Sequence, residues 1–259
     1  MTLILCLIMS HIPLKRGLAM RTLTIKLTGL FQSYGKSAVF YRRTSYQYPT
    51  KSAVIGMIGA ALGYRRDDPR IKELNHLQFA VRIDQPGRPI TDFQNIEYDK
   101  KHERRSLSYR DYLQDAVFVA AIGGDDQQID QIDFALHHPK FQLSLGRRAN
   151  VPSGPLVTNI FDDQQPYQVL ESFKWQAASW YKQKCNDPEF STEIIADSNL
   201  IPDTKPSGYV KDNVGSFNPD HRWYFSRAIT KVRVALQNDS YQGQNTDHDI
   251  MATLSNLGK

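Results

Sequence analysis

Three short segments of the sequence combine positively charged side chains with tyrosines, a combination suited to single-stranded nucleic acid. Cations bind the phosphate backbone, while aromatic rings stack on bases. The segments contribute Lys36, Tyr41, Arg42 and Arg43; Arg104, Arg105 and Arg110 with neighbouring tyrosines; and Arg147 with Arg148. One such segment alone is more typical of a solvated surface. Three together favour an RNA-binding role, with Tyr34 or Tyr41 as a base-stacking ring.

Thr50, Lys51 and Ser52 offer a second kind of anion site. Pro49 disfavours helical geometry at Tyr48, so a helix is predicted to begin just after it. Free backbone N–H groups at a helix N-terminus, with two hydroxyls and a cation beside them, suit a phosphate. Ordinary capping with a solvated lysine explains the same residues equally well. A P-loop does not fit, because no glycine loop precedes the Lys-Ser pair.

Candidate catalytic groups are few. His102 lies in the second basic segment, and His221 lies near two arginines. An imidazole titrates in the range needed for general acid–base cleavage of RNA. The sequence fixes no partner for either histidine, so a surface role is favoured over catalysis. The histidines and the two cysteines, Cys6 and Cys185, form no metal-ligand pattern, and no cofactor is predicted.

The composition allows one large domain or two small ones. At 259 residues, 41% of them hydrophobic, the chain can bury a sizeable core. A net charge of +5 mildly favours a polyanionic partner. The low cysteine content argues against a disulfide framework and favours a reducing, cytoplasmic location. The apolar run at 3–9 is too short to span a bilayer, so no membrane partner is predicted.

Both ends are predicted to lie outside the fold. Lys15 and Arg16 follow the apolar run at 3–9, which is the reverse of the order in a signal peptide. We therefore interpret residues 1–19 as an N-terminal extension. Residues 238–259 are polar and aperiodic, which predicts a disordered tail.

Four strands and two helices are predicted before residue 160, in the βαββαβ order of ferredoxin-like folds. Alternating or continuous apolar patterns indicate the strands, and helical spacing indicates the helices. The predicted strands cover 22–30, 77–84, 115–122 and 141–145; one helix follows Pro49, and the other is capped by Asp125 or Asp126. The glycines of the first helix, Gly56 and Gly59, are expected to pack on the sheet. This fold often serves as a platform for RNA, although it does not fix a function.

Three further segments complete the predicted architecture, which belongs to the α+β class. Residues 88–113 are polar and too long for a turn, and they predict an arm inserted into the ferredoxin-like domain at 20–160. Residues 31–44 are expected to form a loop, and Gly123-Gly124 to end the third strand. Residues 161–237 predict a smaller, degenerate, β-rich C-terminal lobe.

A set of motifs runs in a fixed order from Arg21 to Leu236. They are Thr28-Gly29-Leu30-Phe31-Gln32-Ser33-Tyr34-Gly35, Tyr48-Pro49-Thr50-Lys51-Ser52 leading into Gly56 and Gly59, Arg65-Arg66-Asp67-Asp68, Ser108-Tyr109-Arg110-Asp111-Tyr112, Leu145-Gly146-Arg147-Arg148, and Ser216-Phe217 with His221-Arg222-Trp223. Each motif is unspecific alone. Together they resemble the CasD subunit family of type I-E CRISPR Cascade complexes, which belongs to the RAMP superfamily.

The resemblance implies an RRM-like fold and a non-catalytic subunit that caps the 5′ handle of the CRISPR RNA (crRNA) in antiviral defence. It implies that the arm is a thumb along the guide, and that target DNA, the large CasA subunit and the backbone CasC subunit are partners. The residues expected to contact RNA are Gln32, Ser33, Tyr34, Lys36, Tyr41, Arg42, Arg43, Thr50, Lys51, Ser52, Arg104, Arg105, Arg110, Arg147 and Arg148.

Two alternatives stay open at this point. A sister branch of the family cleaves precursor RNA, so the chain could be a metal-independent endoribonuclease that uses His102 or His221. The other alternative is a generic RNA-binding module outside CRISPR systems.

Overall fold

The computed structural model describes residues 20–39, 41–99 and 101–242, which form two β-sheets with helices packed on the larger one. The strands are β1 (Met20–Thr28), β2 (Phe31–Gln32), β3 (Tyr34–Val39), β4 (Arg42–Tyr46), β5 (Gln78–Gln85), β6 (Arg88–Asp99), β7 (Arg104–Gln114), β8 (Val117–Asp125), β9 (Val157–Asp162), β10 (Glu189–Asp197), β11 (Gly208–Ser216) and β12 (Trp223–Gln237). The helices are α1 (Lys51–Leu62), α2 (Arg70–Glu73), α3 (Asp126–His137), α4 (Pro166–Ser172) and α5 (Ser179–Cys185). In this part of the chain, no helix is long and apolar enough to cross a membrane.

Some sequence-based predictions fall on residues that the structure does not describe. The predicted extension at 1–19, Lys100 of the basic arm and residues 243–259 of the predicted tail all lie outside the described residues. Within the described part, Asn238 is buried, and its side-chain amide donates to the carbonyl oxygens of Lys182 and Asp187 at 3.0 and 2.9 Å. The predicted disorder therefore does not begin at Asn238.

The larger sheet has seven strands in the order β11-β12-β10-β5-β8-β1-β9, and each neighbouring pair is antiparallel. Strand β8 is a continuous apolar run because both of its faces are covered. Phe118, Ala120 and Ile122 belong to the core formed with α1 and α3, whereas Val119 and Ala121 pack with Leu170 of α4. The strands of the predicted C-terminal lobe extend this same sheet beside β5.

The smaller sheet has the order β2-β7-β4-β3, with β6 paired along β7. The segment predicted as an arm is the β6–β7 hairpin, which runs from Arg88 to Gln114. The prediction of a loop over 31–44 was wrong, because this stretch forms β2, β3 and the start of β4. These short strands have little apolar alternation, so they leave no periodic signal in the sequence.

The predicted strand at 141–145 was also wrong. Residues 141–145 form no strand, because the N–H groups of Lys140 and Phe141 donate to the carbonyls of Ala61 and Ala60 at the end of α1 (3.0 and 3.1 Å). The strand that follows α3 is instead β9, which pairs with β1.

Gly123 and Gly124 continue β8 up to Asp125 instead of ending it. A Cβ atom on Gly124 would lie 2.8 Å from the Leu77 side chain, so glycine here permits close packing. The prediction that the glycines of α1 pack on the sheet was also wrong. Gly56 faces Phe217, and Gly59 faces Ile71 of α2, rather than the sheet.

Helix α1 begins where the sequence predicts, and its first turn enters a buried group of charges. The Thr50 hydroxyl accepts from the N–H of Ala53 at 3.3 Å, and Gly63 ends the helix with φ of +82°. The Lys51 N–H donates to Asp212 Oδ2 at 2.9 Å, and its Nζ lies 3.4 Å from Asp197 Oδ2.

Arg227 of β12 completes this group, which we call the four-charge network: Lys51, Asp197, Asp212 and Arg227. The guanidinium donates to both oxygens of Asp212 at 3.0 and 2.7 Å, and to Asp197 Oδ1 at 2.6 Å. All four residues are buried. Their two positive and two negative charges balance, so the network joins α1 to β10, β11 and β12 without a net buried charge.

We expect replacement of Arg227 by methionine to lower the free energy of unfolding by about 3–5 kcal/mol. The change leaves two buried carboxylates to share the single ammonium of Lys51. Urea denaturation followed by circular dichroism would measure it. Arg233→Met, an exposed position on the same strand, is the matched control and should change stability by less than about 0.5 kcal/mol. Equal effects at both positions would contradict the role of the network.

Candidate nucleic-acid interface

The smaller sheet and the turn at 145–150 bring three of the predicted arginines together: Arg43, Arg110 and Arg147, here called the arginine cluster. Arg43 of β4 and Arg110 of β7 are side-by-side partners in the parallel pairing of their strands. Arg147 Nη2 donates to the Arg43 carbonyl oxygen at 3.1 Å. Segments that are widely separated in the sequence thus bring the Arg147 guanidinium to the backbone of Arg43, which is the strand neighbour of Arg110.

Two N–H groups of the arginine cluster are buried without a hydrogen-bond acceptor. They are Arg110 Nε and Arg147 Nη1. The Arg147 guanidinium also lies over the ring of Tyr112, with 4.7 Å to the ring centroid. In the described part of the chain, no carboxylate forms an ion pair with either arginine. Both residues are partly exposed, so a phosphate can approach the remaining N–H groups of these guanidiniums, which bind phosphates with paired hydrogen bonds.

The turn that carries Arg147 is held rigidly against the smaller sheet. Gly146 has φ of +87°, and a Cβ atom on it would overlap the Ser33 carbonyl oxygen, so only glycine fits. The Ser33 N–H donates to the Leu145 carbonyl at 3.2 Å, and the Asn150 N–H closes the turn on the Arg147 carbonyl at 2.9 Å. The turn therefore fixes the position of Arg147 and leaves Arg148 exposed beside it.

The opposite face of strand β7 carries exposed aromatic rings. Successive residues of a strand point to opposite faces, so Tyr109 lies across the strand from Arg110. Tyr109 pairs directly with Phe93 of β6 and with Arg42 of β4. Phe93 is 64% exposed and Tyr109 is 37% exposed. Arg42, at 3.6 Å from Asp111, supplies a cation beside these rings, so this face can stack unpaired bases.

Tyr41 is 59% exposed and lies in the turn before β4, where its carbonyl accepts from the Tyr109 N–H at 2.6 Å. Its exposed ring is therefore available for the predicted stacking on a base, beside strands β4 and β7. Phe93 was missed by sequence reasoning. Phe93 is recognised as a stacking candidate only from the register of the hairpin, which places it opposite Tyr109.

The predicted RNA contacts at Gln32, Ser33 and Tyr34 need correction, because all three side chains are buried. Gln32 Nε2 donates to the Ala116 carbonyl at 2.7 Å, and the Tyr34 hydroxyl donates to Gln32 Oε1 at 2.6 Å. Burial raises the pKa of Tyr34 far above its ordinary value. A ring that is 1% exposed cannot stack on a base while this core is packed, so these residues support the sheet.

The predicted phosphate site at Thr50, Lys51 and Ser52 is corrected for a similar reason. Thr50 and Lys51 are buried, and the first free N–H of the helix already donates to the Asp212 carboxylate. Lys51 Nζ donates to the Asn75 carbonyl at 2.9 Å, and burial lowers the pKa of Lys51. A carboxylate of this chain therefore occupies the position where a phosphate was predicted.

The remaining predicted cations lie away from the arginine cluster. Arg104 and Arg105 are exposed near the tip of the hairpin, opposite Asp99 and Glu97. Lys36 of β3 is also exposed, with its Nζ 5.7 Å from the centroid of the Tyr46 ring. These exposed side chains could reach an anion, but no described contact joins them to the arginine cluster.

The candidate histidines are both exposed. His102 Nδ1 lies 2.6 Å from Asp99 Oδ2 at the hairpin tip. His221 lies in the turn between β11 and β12, where its N–H donates to the Asn218 carbonyl at 3.2 Å. Over the described residues, no group of three or more histidine, cysteine, aspartate and glutamate side chains is arranged to hold a metal ion.

Comparisons with known proteins point to one family. The family model described as CRISPR-associated protein (Cas5) matches residues 22–247. The CRISPR system Cascade subunit CasD of Escherichia coli (strain K12) is 28% identical over 172 residues, which cover 59% of this chain and 76% of that protein.

Two solved structures agree with this match. A chain of a CRISPR RNA-guided surveillance complex superposes with a TM-score of 0.66 at 27% identity, covering 90% of this chain and 98% of that one. A crystal structure of a Cas protein superposes with a TM-score of 0.62 at 25% identity, covering 86% and 98%. The mixed α/β, sheet-dominated architecture is therefore shared with these proteins.

We expect Phe93→Ala to weaken binding of a single-stranded RNA oligonucleotide by about 5- to 150-fold, which corresponds to about 1–3 kcal/mol for one lost stacking contact. Fluorescence anisotropy at fixed salt would measure the dissociation constant. Phe134→Ala is the matched control, since Phe134 is 65% exposed but lies on α3, away from the smaller sheet. If both variants bind like the unchanged chain, the aromatic face is not a stacking surface.

Proposed function

The chain belongs to the CRISPR-associated Cas5 protein family, and from this membership we propose that it is a non-catalytic, crRNA-binding subunit of a type I-E Cascade surveillance complex. In this role it caps the 5′ handle of the guide RNA. The observation that carries the proposal is the grouping of Arg43, Arg110 and Arg147, to which no carboxylate of the described residues is paired. A backbone phosphate of the handle would supply their counter-charge.

The two faces of the smaller sheet divide the work of RNA binding in this proposal. Arg43, Arg110 and Arg147, with the exposed Arg148 beside them, hold phosphates on one face. Phe93 and Tyr109 stack bases on the other face, and Tyr41 adds a ring at the edge. The β6–β7 hairpin serves as the thumb, and its exposed Arg104 and Arg105 extend the basic surface along the guide. The RNA contacts are charge-based and stacking-based, so they need little sequence readout.

The larger sheet supports this surface as a ferredoxin-like unit in our interpretation. The four strands β9, β1, β8 and β5 are neighbours in that order, and α1 and α3 share the core on one face. This is the arrangement expected when a βαββαβ segment folds as one unit. Strands β10 to β12 then extend the unit on the β5 side.

The names of the relatives support the proposed partners. One relative is a subunit of Cascade, and one solved chain comes from an RNA-guided surveillance complex. We therefore propose that the crRNA, the other Cascade subunits, including CasA and CasC, and the target DNA within the assembled complex are the partners of this chain.

Charge reversal at Arg147 and Arg148 tests the proposal. The double variant Arg147→Glu, Arg148→Glu should weaken crRNA retention, because it removes phosphate contacts and adds repulsion. Each lost contact to single-stranded RNA should also reduce the slope of log K against log salt by about 0.7. Filter binding between 50 and 200 mM salt would measure both quantities.

The control for this experiment is Arg65→Glu, Arg66→Glu, which reverses an adjacent pair of exposed arginines near the end of α1. It should leave affinity and salt slope close to those of the unchanged chain. If the Arg147/Arg148 variant retains crRNA with unchanged affinity and unchanged salt slope, the proposed RNA surface is contradicted.

The endoribonuclease alternative rests on the His102–Asp99 pair, which could act as a general base. We expect precursor repeat RNA to stay intact when it is incubated with the purified chain in EDTA and analysed by denaturing gel. Specific cleavage that His102→Ala or His221→Ala abolishes, while the exposed-surface control His76→Ala retains it, would favour the enzyme instead.

A further inference from the structure

A groove of about 740 Å³ lies on the helical side of the molecule, between the end of α1 and the outer face of α3. None of the residues assigned to RNA binding lines it. One end carries Asp126 and Asp130 with Arg21, the middle carries Leu62 and Phe134, and Lys140 lies at the other end. The groove thus joins an apolar floor to an acidic end.

Phe134 is a large apolar side chain on the solvent-exposed face of α3. The core-facing side of α3 is already supplied by Ile129, Ile132 and Leu136, which are buried. Phe134 points outward instead, is 65% exposed, and stacks on His138 with ring centroids 4.3 Å apart. A single exposed ring is common, but this one lies beside Leu62 within a groove.

The acidic end has more negative charge than its one arginine neutralises. Arg21 donates to both oxygens of Asp130 at 2.8 and 2.9 Å, and to Asp162 Oδ1 at 2.7 Å. Asp126 Oδ1, 3.7 Å from Arg21 Nε, is buried and has no hydrogen-bond partner. Three carboxylates share one guanidinium, so this end has a surplus of negative charge, and the Asp126 side chain is 42% exposed.

We propose that this groove binds a basic amphipathic helix of another protein subunit. The proposal rests on the proposed function, because it requires the chain to be part of a multi-subunit complex. A lysine or arginine of the helix donates to Asp126, and an apolar side chain packs on Phe134 and Leu62. Asp126 and Phe134 lie on one face of α3, about 12 Å apart along its axis at 1.5 Å per residue. The docking helix therefore presents its cation and its apolar anchor about two turns apart.

The charge pattern selects this occupant over two others. A nucleic acid is disfavoured, because its phosphates would approach the surplus negative charge of the three carboxylates that share Arg21. A second copy of this chain would have to present a helix with an outward cation and an apolar residue two turns away. The long described helices α1 and α3 do not offer one, since the only lysine or arginine of α1 is the buried Lys51 and α3 has neither residue type.

Photocrosslinking in the assembled complex tests the proposal. The full-length chain carrying Phe134→p-benzoylphenylalanine would be co-expressed with the remaining Cascade subunits and a repeat-derived RNA, purified as a complex and irradiated. Mass spectrometry should find a crosslink to one protein subunit, at a peptide that carries a lysine or arginine and apolar residues at helical spacing. Asp126→Lys in the same chain should lower the crosslink yield at least about tenfold, because like charges then face each other.

Phe225→p-benzoylphenylalanine is the matched control, since Phe225 is 54% exposed on β12 and does not line the groove. Equal crosslinking at both positions would overturn the proposal. So would a crosslink from position 134 to RNA or to a second copy of this chain, no crosslink at all, or a yield unaffected by Asp126→Lys. The amount of RNA in the same preparation separates the two proposals: absent RNA contradicts the proposed function, whereas retained RNA without the crosslink contradicts only the docking.

Discussion

The four-charge network is the constraint on which the arrangement of the larger sheet depends. Lys51 begins α1, and its partners Asp197, Asp212 and Arg227 come from three strands near the C-terminus. A buried ion is stabilised only when every partner is present, because the attraction must offset a large loss of hydration. The first helix and the last three strands must therefore be in place together. The N–H of Phe79, which donates to Asp197 at 2.8 Å, adds β5 to the same set.

The arginines of the chain divide into two kinds, and the difference is the basis for the proposed RNA contacts. Arg82 and Arg227 are buried, and each guanidinium meets a carboxylate in a two-point contact. Arg82 also donates to the carbonyls of Leu170, Phe173 and Lys174, so it fixes the chain after α4 to the sheet. Arg110 and Arg147 have no such carboxylate, and each keeps an unpartnered donor. Incomplete pairing, rather than charge alone, is therefore the reason for proposing these two arginines as RNA ligands.

Local signals allowed the sequence to predict α1, its caps, the β5 and β8 strands and the position of the basic arm. The predictions failed where a residue's partner is distant in the chain. Lys51 resembles a phosphate ligand until Asp212 is known to occupy its helix N-terminus. Tyr34 resembles a stacking ring until the smaller sheet buries it. Phe93 becomes a candidate only through its register with Tyr109. Arg147 was expected only as an RNA contact, and its position beside the Arg43 carbonyl depends on the turn closed by Asn150.

The distribution of charge separates the two binding surfaces by sign. The net charge of +5 is not spread evenly, since the arginine cluster gathers cations on the smaller sheet while Asp126, Asp130 and Asp162 gather around Arg21. A phosphate backbone is attracted to the first surface and repelled by the second. A basic helix is attracted to the second and repelled by the first. Because each surface disfavours the partner proposed for the other, the two proposed partners would not compete for one site.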